Sequence, residues 1–326
     1  MTIWRGHDEQ IAELIAAADA GRMHHGWIFA GPQGVGKAGI ATDFAKRLLV
    51  QGAGRPVPPD RLAPSENDPA VKLMDAGAHP DFIRLERLER DDKKGEGSTL
   101  ARNISVDQVR GLARLLNNAP GMGSRRVILI DSADDLETGA ANALLKSLEE
   151  PPAGAVFLLI AHAPGRLLPT IRSRCRMLRF GPLDDDAMTQ ALADALPDLP
   201  AQERAALGRS AEGSPGQAVA IKALDLPGLE AALALIASGD RRADAERARL
   251  VQALSPIAAR PRLEAFVDLV PRFIAERTRN REGRDLAEGI AAWEEARRLS
   301  AGAIAPLQLE PGALVYRLCE TVAEIG

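Results

Sequence analysis

The sequence predicts an α/β domain built on a parallel sheet, followed by a small helical domain and a C-terminal domain made only of helices. Three observations carry this. Short apolar runs alternate with helix-like segments through the first half of the chain, the pattern that builds parallel sheets. Two of the runs, residues 127–131 and 156–161, are continuously apolar, as strands covered on both faces are. After Phe180 the strand-like runs stop, while apolar stripes at helical spacing continue to the C-terminus.

The elements follow in chain order. A helix over 11–20 precedes a first strand at 27–30, which ends in a glycine-rich turn and leads into a helix over 37–49. Residues 52–69 carry five prolines with glycine and no apolar periodicity, so they read as a long loop. A second strand at 81–86 follows His79-Pro80, and residues 90–99 read as a charged loop. A helix over 106–117, a strand at 127–131 and a helix over 138–150 come next, the last stopped by Pro151-Pro152, which cannot continue it. Strands at 156–161 and 175–180 complete the sheet. Asp184, Asp185 and Asp186 offer N-caps for the short helices that run to about Ala223. Beyond Pro227, Leu263, Phe266, Val267, Val270, Phe273 and Ile274 fall on one stripe, and Leu314, Leu318, Val322 and Ile325 form another. Three domains are expected, at 1–181, 182–223 and 224–326.

Composition narrows the class. At 326 residues, 46% hydrophobic and 26% charged, the chain is globular and long enough for about two or more cores. A net charge of −4 excludes a surface that is basic throughout, though not a local basic patch. Cys175 and Cys319, the only two cysteines, supply neither a disulfide framework nor a zinc site, which needs about four ligands. The first ten residues mix Arg5 with Asp8 and Glu9 and lack an apolar core. The longest strongly apolar stretch, 155–161, is far below the roughly 18 residues a bilayer requires. The expectation is a soluble, cytoplasmic protein with no membrane contact.

Two motifs carry chemistry. Gly31-Pro32-Gln33-Gly34-Val35-Gly36-Lys37-Ala38 fits the phosphate-loop pattern G-x-x-x-x-G-K-[ST] except at its last position. Gly31, Gly34 and Gly36 let backbone N–H groups turn toward phosphate oxygens, and the helix that follows adds its positive end. Lys37 is expected to reach the outer phosphates. Ala38 stands where a hydroxyl would hold Mg²⁺. Asp131 ends the strand at 127–131, where a carboxylate holds Mg²⁺ in nucleotide-hydrolysing enzymes, but Ser132 is a poor substitute for the water-activating Glu that usually follows. With the backbone cradle kept and two parts of the hydrolytic machinery missing, weak ATP or ADP binding without turnover is expected, and no cofactor is required. His162 reads as a base only if it has triad partners, and none is apparent.

The resemblance rests on these motifs and two more. Asn142-Ala143-Leu144-Leu145-Lys146-Ser147-Leu148-Glu149-Glu150-Pro151-Pro152 follows the Asp131 strand, and Thr170-Ile171-Arg172-Ser173-Arg174-Cys175 follows the next. Together they resemble the clamp-loader branch of the AAA+ ATPases, over residues 1 to about 220. The degenerate loop, Ser132 and the run His162-Ala163-Pro164-Gly165-Arg166-Leu167-Leu168-Pro169 are similar to the delta-prime subunits of the bacterial DNA polymerase III clamp loader rather than to the hydrolysing gamma/tau subunits.

The resemblance implies an AAA+ P-loop domain, a helical lid and a C-terminal collar that joins sister subunits. It implies a component of the DNA polymerase III holoenzyme with no activity of its own, helping to load the sliding clamp in DNA replication. Its partners would be the delta subunit and the gamma/tau subunits, with the clamp contacted indirectly and primed DNA met through the complex. It further implies that Arg174, flanked by Ser173 and Cys175, is an arginine finger acting on a neighbour's ATP. The plainer alternative is that Arg174 pairs with a carboxylate of its own surface, with Arg172 and Arg176 as solvated or neighbour-contacting charges. Gly216, within Glu212-Gly213-Ser214-Pro215-Gly216-Gln217, stands where active subunits carry an Arg that senses the γ-phosphate, and a phosphate-sensing polar residue is replaced around Ala161-His162. Many relatives hold zinc on four cysteines between the two nucleotide motifs; this chain has none there, so the loop at 52–69 would be a metal-free substitute. An active gamma/tau-like ATPase is the rival reading, and it predicts a hydroxyl at 38 and a carboxylate at 132. A small-molecule kinase would leave the segments at 142–152 and 170–175 unexplained.

Overall fold

The computed structural model describes residues 4–21, 23–91, 98–101, 103–116, 118–304 and 310–325. Its strands are β1 (Gly26–Ala30), β2 (Phe82–Leu85), β3 (Glu89–Asp91), β4 (Ser98–Leu100), β5 (Arg126–Ile130), β6 (Ala155–Ala161) and β7 (Arg176–Arg179). Five of them form one parallel sheet in the order β2-β5-β6-β1-β7, while β3 and β4 pair separately. The helices of the first part are α1 (Asp8–Asp19), α2 (Lys37–Gly52), α3 (Pro69–Asp75), α4 (Val106–Leu116), α5 (Thr138–Glu149), α6 (Pro169–Arg172), α7 (Asp185–Ala195), α8 (Ala201–Ser210) and α9 (Pro215–Leu224). After them come α10 (Leu226–Ala237), α11 (Ala243–Leu254), α12 (Arg260–Thr278), α13 (Gly283–Ile304) and α14 (Pro311–Ala323).

Side chains alternate across each strand, so the sheet builds two cores. Trp27 and Phe29 pack with Phe44, Leu48, Leu129 and Leu158 on one face, and Ile28 packs with Ile130, Leu144, Phe157 and Leu159 on the other. All are fully buried, at about 1.5–3 kcal/mol for each large apolar side chain. Burial on both faces is why β5 and β6 read as unbroken apolar runs. The register sets Ala30 beside Ala161 and Ile130 beside Leu159. The turns that follow β1, β5 and β6 therefore leave the sheet along one edge, the edge at which open parallel sheets place ligands.

Among the described residues the chain forms two compact units, one of residues 4–90 and 100–219, the other of residues 91, 98–99 and 220 onward. In the second, the residues of the 263–274 stripe are buried except Phe273, which is half-buried under the Arg277 guanidinium at 5.0 Å. Leu314, Leu318, Val322 and Ile325 are buried in the same core, with Cys319.

The expected strands and helices are all present, with ends shifted by a few residues at most. The helix expected over 106–117 ends at Leu116, and Asn117 lies outside the described residues. The charged loop expected at 90–99 is corrected at its ends, where β3 and β4 pair; residues 92–97 lie outside the described residues. Asp68 closes the loop at 52–69 by capping α3, its carboxylate accepting the Ala70 N–H at 2.8 Å. That loop is pinned from below by Arg47, which is fully buried. Arg47 donates to the Pro58 and Arg61 carbonyls at 3.0 and 2.8 Å and to both Asp19 oxygens at 2.8 and 2.9 Å. Arg55 and Asp68 add a bidentate pair at 2.7 Å.

Candidate functional site: a closed phosphate loop and an exposed arginine

The phosphate loop leaves β1 at Gly31, whose N–H donates to Ala161 O at 3.0 Å. Gly31 takes a φ of +154°, and a Cβ there would lie 2.0 Å from Phe180 O, so no side chain fits. Gly36 opens α2. Gly34 is covered: its carbonyl accepts the Gly216 N–H at 2.9 Å, and a Cβ on Gly216 would lie 3.0 Å from Gly34. Gly216 thus does more than lack a phosphate-sensing arginine, because it brings the start of α9 onto the loop itself.

Lys37 is turned inward. Its Nζ donates to Gly31 O at 2.7 Å and Pro32 O at 2.5 Å and meets His162 Nδ1 at 3.2 Å. Burial pulls its pKa down to about 8, against the opposing pull of the Asp134 and Asp131 carboxylates. Burial, and then the neighbouring Lys37 charge, lowers the His162 pKa as well, which favours a neutral ring whose Nδ1 accepts a hydrogen bond from the ammonium. In this arrangement the Lys37 ammonium caps carbonyls of its own loop.

The acidic half of the site is also spoken for. Asp131 receives the Arg84 Nη2 at 2.9 Å, from β2 alongside β5, and Arg84 also meets Glu86 at 2.9 Å. Ser132 caps a short 3₁₀ turn, its Oγ donating to Asp134 Oδ2 at 2.9 Å and accepting the Asp134 N–H at 3.2 Å. The same Asp134 carboxylate accepts the His162 and Ala163 N–H groups at 2.5 and 3.1 Å. A cleft of about 510 Å³ remains, lined by Gln33, Glu86, Arg87, Leu88, Asp131, Ser132, Asp135 and His162. Its donor set does not fit a nucleotide-bound Mg²⁺: position 38 offers a methyl, and a guanidinium stands on the carboxylate that would hold the ion. Among the described residues no group of three His, Cys, Asp or Glu has a metal-binding arrangement.

Residues from the N-terminal segment complete the cover. Trp4 lies over Gly36 and Gly39, where a Cβ on Gly39 would fall 2.1 Å from the indole, and its Nε1 donates to Asp43 at 2.9 Å. His7 Nε2 meets Val35 O at 2.9 Å. Neither residue belongs to a motif, and only the tertiary contacts reveal them.

Arg174 lies elsewhere. Trp27 pairs with Arg176 in the β1–β7 register, so Ser173-Arg174-Cys175 sits at the edge where the strands begin, opposite the phosphate loop. Cys175 packs inward, its Sγ against Gly26, and burial pushes its thiol up to about 12; it is a packing residue, not a nucleophile. Ser173 Oγ donates to Thr170 O at 3.0 Å. Arg174 keeps 34% of its side chain exposed, with Nη1 on Thr170 O at 3.0 Å and Nη2 on Glu149 Oε1 at 2.7 Å. Arg176 stacks over Trp27 at 5.0 Å and pairs with Glu13 at 2.7 Å. The structure therefore gathers Gly31, Gly34, Gly36, Lys37, Ala38, Asp131, Ser132 and His162 at one edge and leaves Arg174 at the other.

Residues 6–184 match the family model described as DNA polymerase III, delta subunit. A Pseudomonas aeruginosa protein named DNA polymerase III subunit delta' is 40% identical over 192 residues, 59% of this chain and 53% of its own length. The Escherichia coli protein of the same name is 34% identical over 209 residues, 64% of this chain and 58% of its own. The match thus spans little more than half the length of these relatives. A Haemophilus influenzae DNA polymerase III subunit tau/gamma is 33% identical over 214 residues, 64% of this chain and 28% of its own. Among solved structures, a DNA polymerase III gamma subunit-related protein from Thermotoga maritima aligns over 97% of this chain and 98% of its own, at 16% identity and a TM-score of 0.41.

Proposed function

The chain belongs to the DNA polymerase III delta subunit family, and from that premise we propose that it is a delta-prime-type clamp-loader subunit that does not hydrolyse ATP and lends Arg174 to a neighbour. Its partners in this reading are the delta and gamma/tau subunits, and its task is to help place the sliding clamp on primed DNA in the cytoplasm. Among the described residues, no helix is long and apolar enough to cross a membrane.

Hydrolysis needs a metal clamp on the phosphates, an activated water and a positive charge on the transferring group. This chain lacks the hydroxyl at 38, keeps Asp131 on Arg84, uses Ser132 as a cap and spends Lys37 on its own loop carbonyls. Any binding of ATP or ADP is weak, because phosphates must first displace those contacts. The observation that carries the reading is the position of Arg174, part-exposed at the sheet edge opposite its own phosphate loop. A guanidinium there cannot serve its own cleft, so it serves another chain's or none.

The test has two arms. The isolated chain releases phosphate from ATP no faster than buffer, with or without primed DNA. In a reconstituted clamp loader, Arg174→Ala assembles normally and lowers DNA-stimulated turnover, since a finger contributes on the order of 10³–10⁵ at the one site it serves. Arg174→Lys restores little, because a point charge does not reproduce the planar fork. Wild-type turnover by a fully assembled Arg174→Ala complex rejects the reading.

A further inference from the structure

We infer that Glu149 is a positioning residue for Arg174, holding the guanidinium by one edge so that its remaining N–H groups stay available to a neighbour's phosphate. The inference rests on Arg174 acting in trans as proposed above.

Glu149 is the last residue of α5, where the negative end of the helix dipole disfavours a carboxylate. Its Oε1 nevertheless sits 2.7 Å from Arg174 Nη2, which supplies the compensating positive charge. On the other side, Nη1 donates to Thr170 O at 3.0 Å, with a longer contact to Ser173 Oγ at 3.4 Å. A guanidinium carries five N–H donors. The helix-end carboxylate and the carbonyl take two, the serine at most a third, and the rest stay open on a side chain 34% exposed. Arg176, two residues on, does not share this anchor, since it stacks on Trp27 and pairs with Glu13. Glu149 therefore addresses one arginine and not the cluster.

Magnitudes decide whether such a contact positions or blocks. With Glu149 49% exposed, the pair is a surface ion pair, and such pairs give at most about a fivefold preference. Each hydrogen bond from an arginine to an anion gives roughly tenfold or more, so a phosphate wins the competition and the pair is no lock. What it does is restrict an otherwise free side chain, whose ordering costs up to about thirtyfold in an equilibrium. Part of that ordering is completed before a neighbour arrives.

The experiment uses the whole reconstituted clamp loader, with assembly checked by gel filtration. It carries Glu149→Ala, Glu149→Gln, Arg174→Ala, or Glu149→Ala with Arg174→Ala. The Arg174-dependent rate is the wild-type kcat for DNA-stimulated ATP hydrolysis less that of Arg174→Ala. Glu149→Ala is expected to lower it about two- to tenfold with KM for ATP unchanged. Glu149→Gln, whose amide oxygen still accepts from Nη2, recovers most of the loss. In the Arg174→Ala background, Glu149→Ala has no effect. An unchanged rate for Glu149→Ala beside a slowed Arg174→Ala complex overturns the inference and leaves the finger standing, as does an equal loss in the Arg174→Ala background. A wild-type rate for Arg174→Ala sinks the finger itself, and this inference with it.

Discussion

Ala38 and Ser132 stand where a hydroxyl and a carboxylate would serve hydrolysis, and the residues around them make further contacts that those two letters do not require. Arg84 occupies Asp131 at 2.9 Å, and Lys37 is held by two carbonyls and His162. Restoring the letters alone is then futile: Ala38→Thr with Ser132→Glu is expected to leave phosphate release at the background rate, and DNA-stimulated turnover by that double variant would show that Arg84 and Lys37 yield readily. Lys37 also ties stability to pH. Its pKa of about 8 in the folded chain lies below its ordinary 10.5, so between those values the unfolded chain holds a proton that the folded chain does not. The folding free energy attributable to Lys37 therefore improves as pH rises from about 8 to about 10.5 and is at its least favourable below that window. Lys37→Met is expected to lose that rise, and urea titrations of both proteins at about pH 7 and about pH 9.5 check it. At this scale the motif letters were readable in the sequence, because each is a departure from a fixed pattern. Arg84 was not, since a lone arginine on a strand carries no spacing signal, and His162 was legible only as a histidine without partners, with no sign of its contact to Lys37. Only the β2–β5 and β1–β6 neighbours put them on Asp131 and Lys37.

Helices and strands were legible wherever one period dominated. The unbroken apolar runs of β5 and β6 and the stripe of α12 placed those elements, because burial on two faces or on one helical face writes itself into residue order. Among the features that escaped, three are instructive. α1 starts at Asp8, before its first apolar residue, because a first helical turn is stabilised by acids and not by burial. The β3–β4 pair lies among charged residues with no apolar alternation. The third is the pinning of the proline-rich segment after α2, which depends on Arg47, a residue that reads as one more surface cation. Its guanidinium reaches Asp19 and the carbonyls of Pro58 and Arg61 from a fully buried position. Arg47→Met leaves both carbonyls without their donor while Asp19, partly exposed, rehydrates. A loss of roughly 2–3 kcal/mol in urea unfolding is expected, with faster proteolysis between residues 53 and 68. A loss under about 0.5 kcal/mol would mean that the Arg55–Asp68 pair holds the segment unaided.

The chain divides into two compact units, and each has an apolar core of its own. The two clusters that cover the sheet draw on no residue beyond Phe180, and the cluster of the second unit draws on none before Leu229. A unit whose core is complete without the other is expected to fold when cut from it. Among its described residues the second unit carries no phosphate loop and no paired catalytic groups, but it exposes large apolar side chains: Ile257 at 39%, Ile290 at 46% and Tyr316 at 47%. Exposed side chains of this kind are what a helical assembly module would cover, and tyrosine is enriched where interfaces bind most strongly. Ending the chain after residue 223 is therefore expected to give a soluble fragment that unfolds cooperatively and keeps Arg174 paired with Glu149, yet no longer enters the clamp loader. Size-exclusion chromatography with the delta and gamma/tau subunits decides it. Loss of co-elution by a folded fragment, judged by circular dichroism, places the assembly contact beyond residue 223. Co-elution at the full-length level places it in the α/β unit, where the edge that carries Arg174 would then have to hold the neighbour as well as reach its nucleotide.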